Sequence, residues 1–583
     1  MKRLVRSARS CPAACPLPVP STVTAARALL QTFAARGVRF AFGIPGGLIS
    51  PVFDALADVP EIRLVSTRHE SMAVFCAMGS TVATGSPALV LTTSGPGITN
   101  AVTGLAAAIA EEIPVILVGG EVSSSAWARG AFQDCSTNSI DSVALLRTVT
   151  RWSARVDSPA GAVGAAAHAM QIAESNRPGP VFLSVALNVG NGQTRFAPVA
   201  APELQAPLRP DPAACGTVAA ALRSAKRPLL VLGNGARTAS QATLELAERL
   251  SIPVVTTPHA KGVFPESHRL HLGVIGFGGH PSATNYLASR PDVACVVGSR
   301  LGDFATNGWT LSLGGSVATF QIDRDARLIG RNYPVTLGIV GDATQAVEAI
   351  LAHLPQLEEE DDRLSGVYRL RGIRRIETGQ PCDRFRGLEP AAVLEAFQQA
   401  FPDAFWASDI GEHCAHALHH LRIERPDQFR AMLGFGSMGS GIGVAMGVAL
   451  ADTTRPVISV CGDGGFAMHA GDLLTCVEQG IGCLFLVMND GRWNIVEHGF
   501  RAVFGRVPHG LAAHVADLAG VARHFGATGV TIERPDQLNP ENLRALVLPG
   551  KPVVADVRID PGAVLSVDTR STTLRQSAFG GAQ

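Results

Sequence analysis

Two acids stand 27 positions apart, Asp463 in VISVCGDGG and Asp490 in CLFLVMND, and each follows an apolar run. Such a run, closed by Gly, Asn or Asp, reads as a strand buried on both faces that stops at the carboxyl edge of a parallel sheet. Between the two runs Leu473, Leu474 and Val477 share a helical face, and Gly480 suits the helix C-cap. A right-handed strand–helix–strand unit returns both strand ends to one sheet edge, so the two carboxylates converge. Converging carboxylate oxygens suit a hard cation such as Mg2+ or Ca2+. Gly462, Gly464 and Gly465 allow an anion to approach the backbone closely at the next helix N-terminus. Magnesium takes few protein oxygens and completes its shell with phosphate and water, so the expected ligand is a diphosphate.

A third acid, Glu70 in VSTRHESMAVFCAMGSTVATG, follows a short apolar strand (Ile62–Val65) and opens an apolar helix. It fits either a first-turn acid favoured by the helix dipole or a dry carboxyl that handles a proton. His69 beside it reads as structural. Met438 lies among glycines in GFGSMGSGIGVAMG (434–447), where it serves as core filler or as a ligand-facing side chain.

The elements that position these residues recur along the chain. Apolar runs such as ALVLTT (88–93), PVILVGG (114–120), PLLVLGNG (228–235), VACVVGS (293–299) and PVVADV (552–557) alternate with helical patterns. The fold class is α/β, with three doubly wound parallel-sheet units in which ligands gather at strand carboxyl ends. A Pro/Ala-rich stretch at 192–212 and a charged stretch at 355–388, with the acidic run Glu358–Asp362, read as linkers. A length of 583 residues suits about three domains. Formal net charge is zero, which argues against nucleic acid and anionic membrane as partners. Eleven scattered cysteines without a CxxC pair indicate reduced thiols in a cytoplasmic protein rather than a disulfide framework. No run of membrane character stands out.

GDG followed by Asn489–Asp490, the Glu70 segment, LTTSGPGITNAVTGLAAA, FGIPGG (42–47) and the Met438 segment together resemble the thiamine diphosphate (ThDP) enzymes. From about residue 22 to 560 the chain is most similar to their acetolactate synthase group. The basic, proline-broken stretch 1–21 reads as a tail and 561–583 as a tail or an active-site flap; the resemblance implies a pyrimidine-binding domain at 22–190, a middle, FAD-type domain at 205–354 and a diphosphate-binding domain at 386–560. It implies Mg2+ held by Asp463, Asp490 and the carbonyl of Arg492; similar enzymes more often carry Asn where Asp490 stands. Gly464, Gly465, Glu412 and His413 (the last two in DIGEHC, 409–414) would meet the diphosphate. Gly436 and Met438 would meet the aminopyrimidine and bend the cofactor. Glu70 would be catalytic, bonding pyrimidine N1′. Phe132 and Gln133, in GAFQD, would line the substrate pocket. For FAD the resemblance points to Gly233, Gly235, Arg300 and Asp323, although a His–Gly pair of the flavin segment appears as Gly278–Gly279.

The activity so implied is decarboxylation of a 2-oxo acid, pyruvate first, and transfer of its acyl carbanion to a carbonyl acceptor by a homodimer or homotetramer. Two departures bear on the acceptor. Phe304 stands where similar enzymes place an arginine for the acceptor carboxylate, and Gly499 stands where they place a tryptophan. Both favour an uncharged or larger acceptor. The rival readings are a 2-oxo acid decarboxylase that releases aldehyde, a catalytically silent ThDP-fold subunit, and an Mg2+-dependent phosphoryl-transfer enzyme.

Overall fold

The apolar runs become strands of three six-stranded sheets in a computed structural model that describes residues 21–197, 208–313, 317–355, 387–509, 511 and 514–565. The first unit opens with β1 (Ser21–Thr24). It then lays down β2 (Phe40–Gly43), β3 (Arg63–Ser66), β4 (Ala88–Thr92), β5 (Val115–Glu121), β6 (Trp152–Val156) and β7 (Val181–Ala186). β8 (Gln193–Phe196) returns to pair antiparallel with β1. The middle unit contributes β9 (Pro228–Leu232), β10 (Val254–Thr256), β11 (His271–Val274), β12 (Val293–Val297), β13 (Ala318–Asp323) and β14 (Leu337–Val340). The third contributes β15 (Phe405–Ser408), β16 (Phe429–Ala431), β17 (Val457–Gly462), β18 (Cys483–Asn489), β19 (Thr528–Ile532) and β20 (Val553–Arg558).

Strands β4, β5, β9, β12 and β18 are buried along their whole length, as helices on both faces of a parallel sheet require. The first sheet runs β3-β2-β4-β5-β7-β6 and the third β16-β15-β17-β18-β20-β19. Counted from its own first strand, each has the order 2-1-3-4-6-5. The middle sheet runs β11-β10-β9-β12-β13-β14, the order 3-2-1-4-5-6 of dinucleotide-binding sheets. The tails outside residues 21–565 and the acidic run Glu358–Asp362 lie outside the described residues.

The first and third units meet through two helices, Glu70–Thr84 and Ser440–Ala451, which cross backbone to backbone. A Cβ on Gly79 would stand 2.1 Å from the Val444 carbonyl oxygen, and one on Gly447 would stand 2.0 Å from that of Cys76. One apolar core runs from the first sheet through these helices into the third, taking in Phe42, Met72, Phe75, Val444, Phe405 and Phe485. The glycine- and alanine-rich run after Met438 is thus a buried helix whose small residues permit this crossing.

Candidate active site

At the carboxyl edge of the first sheet, β3 leads through His69 into the helix that begins at Glu70. The His69 ring caps that helix: its Nδ1 accepts the Ser71 N–H at 3.2 Å. Glu70 is buried, and its Oε2 accepts from Asn100 Nδ2 at 2.9 Å. Asn100 lies on the neighbouring helix Pro96–Ala110, which follows the turn at Gly95 (φ 68°). A Cβ on Gly97 would stand 3.5 Å from Glu70 Oε1. The SGPG turn therefore leaves one carboxyl oxygen against a helix N-terminus without a side chain in between, while Asn100 fixes the other.

Gln133 sits beside the same turn in a left-handed conformation (φ 59°), its Cγ 3.4 Å from the position a Gly95 Cβ would take. Phe132 beside it is 84% exposed. The segment is anchored from behind by Glu121, at the end of β5. Its buried Oε1 accepts the N–H of Val122 (2.8 Å) and of Cys135 (3.1 Å). Burial pushes this carboxyl above its ordinary range against the pull of those two amides.

The corresponding edge of the third sheet gathers Asp463 after β17, Asp490 after β18, and Glu412 with His413 after β15. Asp463 starts its helix, and its Oδ1 accepts the Gly464 N–H at 2.8 Å. Asp490 Oδ1 accepts the Arg492 N–H at 3.0 Å. Burial, then the neighbouring Asp463 charge, pushes Asp490 up to about 7, and Glu412 adds to the repulsion. Arg492 does not relieve it, because its guanidinium turns to Glu497 at 3.4 Å. A divalent cation suits two crowded, half-buried carboxylates that form no ion pair with a lysine or arginine among the described residues. Among the described residues no three His, Cys, Asp or Glu side chains form a metal site by themselves, so such an ion would draw its other ligands from backbone, phosphate and water.

Glu412 pairs with His498 Nδ1 at 2.9 Å. His413 is buried, and burial holds it neutral by lowering its pKa to about 4. Its Nε2 donates to the Asp409 carbonyl at 3.1 Å, which leaves Nδ1 an acceptor 3.2 Å from the place a Gly462 Cβ would fill. The glycines of GDGG serve close packing as well. A Cβ on Gly464 would stand 3.0 Å from the Trp493 ring, and one on Gly465 would stand 2.6 Å from Asp409 Oδ2.

Asp409 is the residue that sequence reasoning passed over. It is fully buried, and its two oxygens accept the N–H groups of Gly439 (2.8 Å) and Gly441 (3.0 Å). Gly439, the N-cap of the helix Ser440–Ala451, is left-handed (φ 87°) and has no side chain to cap it, so Asp409 supplies the cap from another strand end. Burial raises Asp409 to about 6, with the two amides pulling it back. Met438 and Gly436 (φ 75°) lie just before this cap, and the His469 ring occupies the space a Cβ on Gly439 would take. The one available signal was the first letter of DIGEHC at the end of a strand. In Asp409→Ala we expect the denaturation midpoint to fall by the equivalent of about 3 kcal/mol, two charge-assisted bonds in a dry site. Asp409→Asn, which keeps one acceptor, should lose less. A midpoint unchanged in Asp409→Ala would contradict this role.

In the middle unit Gly233 and Gly235 face Gly298 between β9 and β12, where the strand order reverses. Gly233 N donates to the Val297 carbonyl (2.8 Å) and Gly235 N to that of Gly298 (3.0 Å). Arg300 is exposed at this edge, and Asp323 ends β13 there, its Oδ1 accepting the Asp325 N–H at 3.0 Å. These four residues share the edge at which a dinucleotide binds this strand order. The segment 276–280 differs. A Cβ on Gly278 would meet the Ala415 carbonyl at 2.8 Å, and the Phe277 ring packs edge-on against Phe304 with centroids 5.1 Å apart. His280 is buried and stacked on His419 at 4.6 Å. The edge thus fits the nucleotide end of a flavin cofactor, whereas segment 276–280 is closed by packing against the helix Glu412–His420.

Three six-stranded units, a dry carboxyl at one sheet edge and a crowded acid pair at another define the class: the chain belongs to the thiamine pyrophosphate enzyme family. The profile of the N-terminal TPP binding domain matches residues 23–142, that of the central domain 216–350, and that of the C-terminal TPP binding domain 409–557. Within that family it is similar to a probable acetolactate synthase large subunit of Methanocaldococcus jannaschii (31% identity, 93% of this chain, 92% of that one). It is also similar to the acetolactate synthase large subunit of Haemophilus influenzae (30%, 92% and 95%) and to isozyme 3 of Escherichia coli (30%, 92% and 95%). The protein is a ThDP-dependent enzyme of the acetolactate synthase-like type. No helix among the described residues is long and apolar enough to cross a membrane.

Proposed function

We propose that this enzyme is an Mg2+-dependent carboligase that decarboxylates a 2-oxo acid, pyruvate first, and passes the acyl unit to a carbonyl acceptor. The observation that carries this reading is the buried Glu70 carboxyl, fixed on one oxygen by Asn100 and open on the other toward a glycine turn. When bound, ThDP supplies an electron sink for loss of CO2 and for transfer of the remaining acyl group. Glu70 holds or releases a proton at Oε1. Asp463, Asp490 and the Arg492 carbonyl hold the cation, with Gly464, Gly465, Glu412 and His413 around the diphosphate. Gly436 and Met438 orient the aminopyrimidine.

Glu70 lies at the edge of the first sheet and the Asp463–Asp490 pair at that of the third, and a second copy of the chain would bring one such edge to the other. Exposed apolar side chains border both halves, among them Phe132 beside Gln133, Phe435 in the Met438 loop, and Met468 after GDGG. This supports a homodimer or a dimer of dimers, with Phe132 and Gln133 carried to the cofactor of the partner subunit.

Ligation is favoured over aldehyde release by what surrounds the substrate residues. Phe132 offers no acidic proton. The pair His419–His420 is buried, with His419 Nδ1 on the Gly279 carbonyl at 3.1 Å. Phe304 is engaged with Phe277, so the acceptor side carries an apolar ring in place of a carboxylate clamp, which favours an uncharged acceptor. Incubation of holoenzyme with pyruvate and a panel of aldehydes and ketones, with mass detection, should give mixed hydroxy ketones. Free acetaldehyde alone would overturn ligation, and efficient acetolactate formation from two pyruvates would overturn the acceptor assignment. FAD, where held by Gly233, Gly235, Arg300 and Asp323, is structural, since the acyl transfer has no net electron transfer. Visible flavin absorption in the same preparation tests that point, and a colourless protein that does not bind added FAD would refute it.

A further inference from the structure

Glu111 closes the helix Pro96–Ala110 and reaches out of the first unit. Its side chain is 6% exposed. Oε1 accepts the Gly434 N–H from the third unit and stands 3.5 Å from His259 Nε2 of the middle unit. A Cβ on Gly434 would lie 2.8 Å from that oxygen and 3.0 Å from the Ala110 carbonyl, so glycine is required for the contact. Adjacent Glu112, with φ 54°, turns the other way and takes the arginine cluster Arg151, Arg177 and Arg324. Glu111 is thereby left for the junction. The His259 carbonyl accepts from Arg237 Nη2, and Arg237 Nε donates to Asn234, between the crevice glycines Gly233 and Gly235.

The loop Gly434–Gly439 is therefore held at both ends by carboxylates, Glu111 at Gly434 and Asp409 at Gly439. It contains glycines at 434, 436 and 439, and a free glycine-rich loop loses much entropy on ordering. We propose that Glu111 is a positioning residue for the reaction: it clamps the far end of this loop and so presets Gly436 and Met438 before the cofactor arrives. The proposal rests on the reading of Met438 given above.

The test compares Glu111→Ala and Glu111→Gln with the parent chain. Hydrogen exchange of residues 432–439 is read in the cofactor-free protein, ThDP affinity by tryptophan fluorescence, and kcat separately from KM. In Glu111→Ala we expect loop exchange to rise about tenfold, ThDP affinity to fall about tenfold and kcat to fall by a similar factor, the effect of losing one charge-assisted bond. KM for the 2-oxo acid should stay within about twofold, since the clamp acts on the loop rather than on the substrate. Glu111→Gln, which keeps a carbonyl oxygen for Gly434 N–H, should restore all of these. Unchanged exchange in Glu111→Ala overturns the proposal, and so does a Gln variant as impaired as the Ala one. Faster exchange with kcat and cofactor affinity intact overturns it too. Met438→Ala then separates the causes: if it lowers kcat, the clamp is at fault, and if it does not, the reading of Met438 has failed.

Discussion

Glu70→Gln should lower turnover about 10²- to 10⁴-fold, the range supplied by a positioned proton-handling group. Glutamine has nearly the same shape, and its amide oxygen can still accept from Asn100 Nδ2, the one side-chain bond Glu70 makes among the described residues. Folding and cofactor affinity should therefore change little, while the capacity to hold and release a proton at Oε1 is gone. The pairing of these two outcomes is what makes the test sharp. A buried acid that serves only the first turn of its helix would show the opposite pattern, with a small shift in stability and normal rates. Full activity in Glu70→Gln would falsify the assignment of the catalytic carboxyl, and with it the proposed role of a second chain. Asn100→Ala offers an internal comparison: it frees Oε2 without removing the acid, so its loss should be smaller than that of Glu70→Gln.

What the sequence disclosed and what it concealed follow from the range of the forces involved. Strands such as ALVLT or CLFLVMN are legible because burial on both faces is written in contiguous residues. The Asp463–Asp490 edge is legible because a crossover has one hand. Glu70 is legible through the local change from an apolar strand to an apolar helix. The partners that hold these groups are remote in sequence: Asp409 caps a helix 30 positions on, Glu111 meets a glycine 323 positions away, and Glu121 anchors Cys135. Each is a single acid without a periodic pattern, and its meaning exists only once the chain is folded. The environment of His419–His420 is equally remote from the sequence pattern: the pair lies buried among the rings of His280 and His416. The glycines of GDGG permit an approach, as their type suggested, but Trp493 and Asp409 already use part of that room.

The acid pair yields the second large effect, and its sign is set by Asp490. Without a cation its carboxyl titrates near about 7, raised by burial and by Asp463. The folded value thus exceeds the unfolded one, so the contribution of Asp490 to stability declines as pH rises from about 4 to about 7 in the metal-free protein. A divalent cation needs the ionised form. Below about pH 7 it competes with a proton, and its apparent affinity should strengthen about tenfold per pH unit before levelling above that point. Asparagine at 490 has no proton to displace. Asp490→Asn should therefore flatten this pH profile and weaken Mg2+ only modestly, because the neutral amide oxygen remains a ligand. Asp463→Asn removes the more ionised partner and should weaken Mg2+ on the order of 100-fold, taking ThDP affinity and turnover with it. Mg2+ titrations of the apo protein with ThDP near pH 6, 7 and 8, in parent and both variants, measure all of this. A parent profile as flat as that of Asp490→Asn would mean that this carboxylate does not face the cation, whatever its place at the sheet edge.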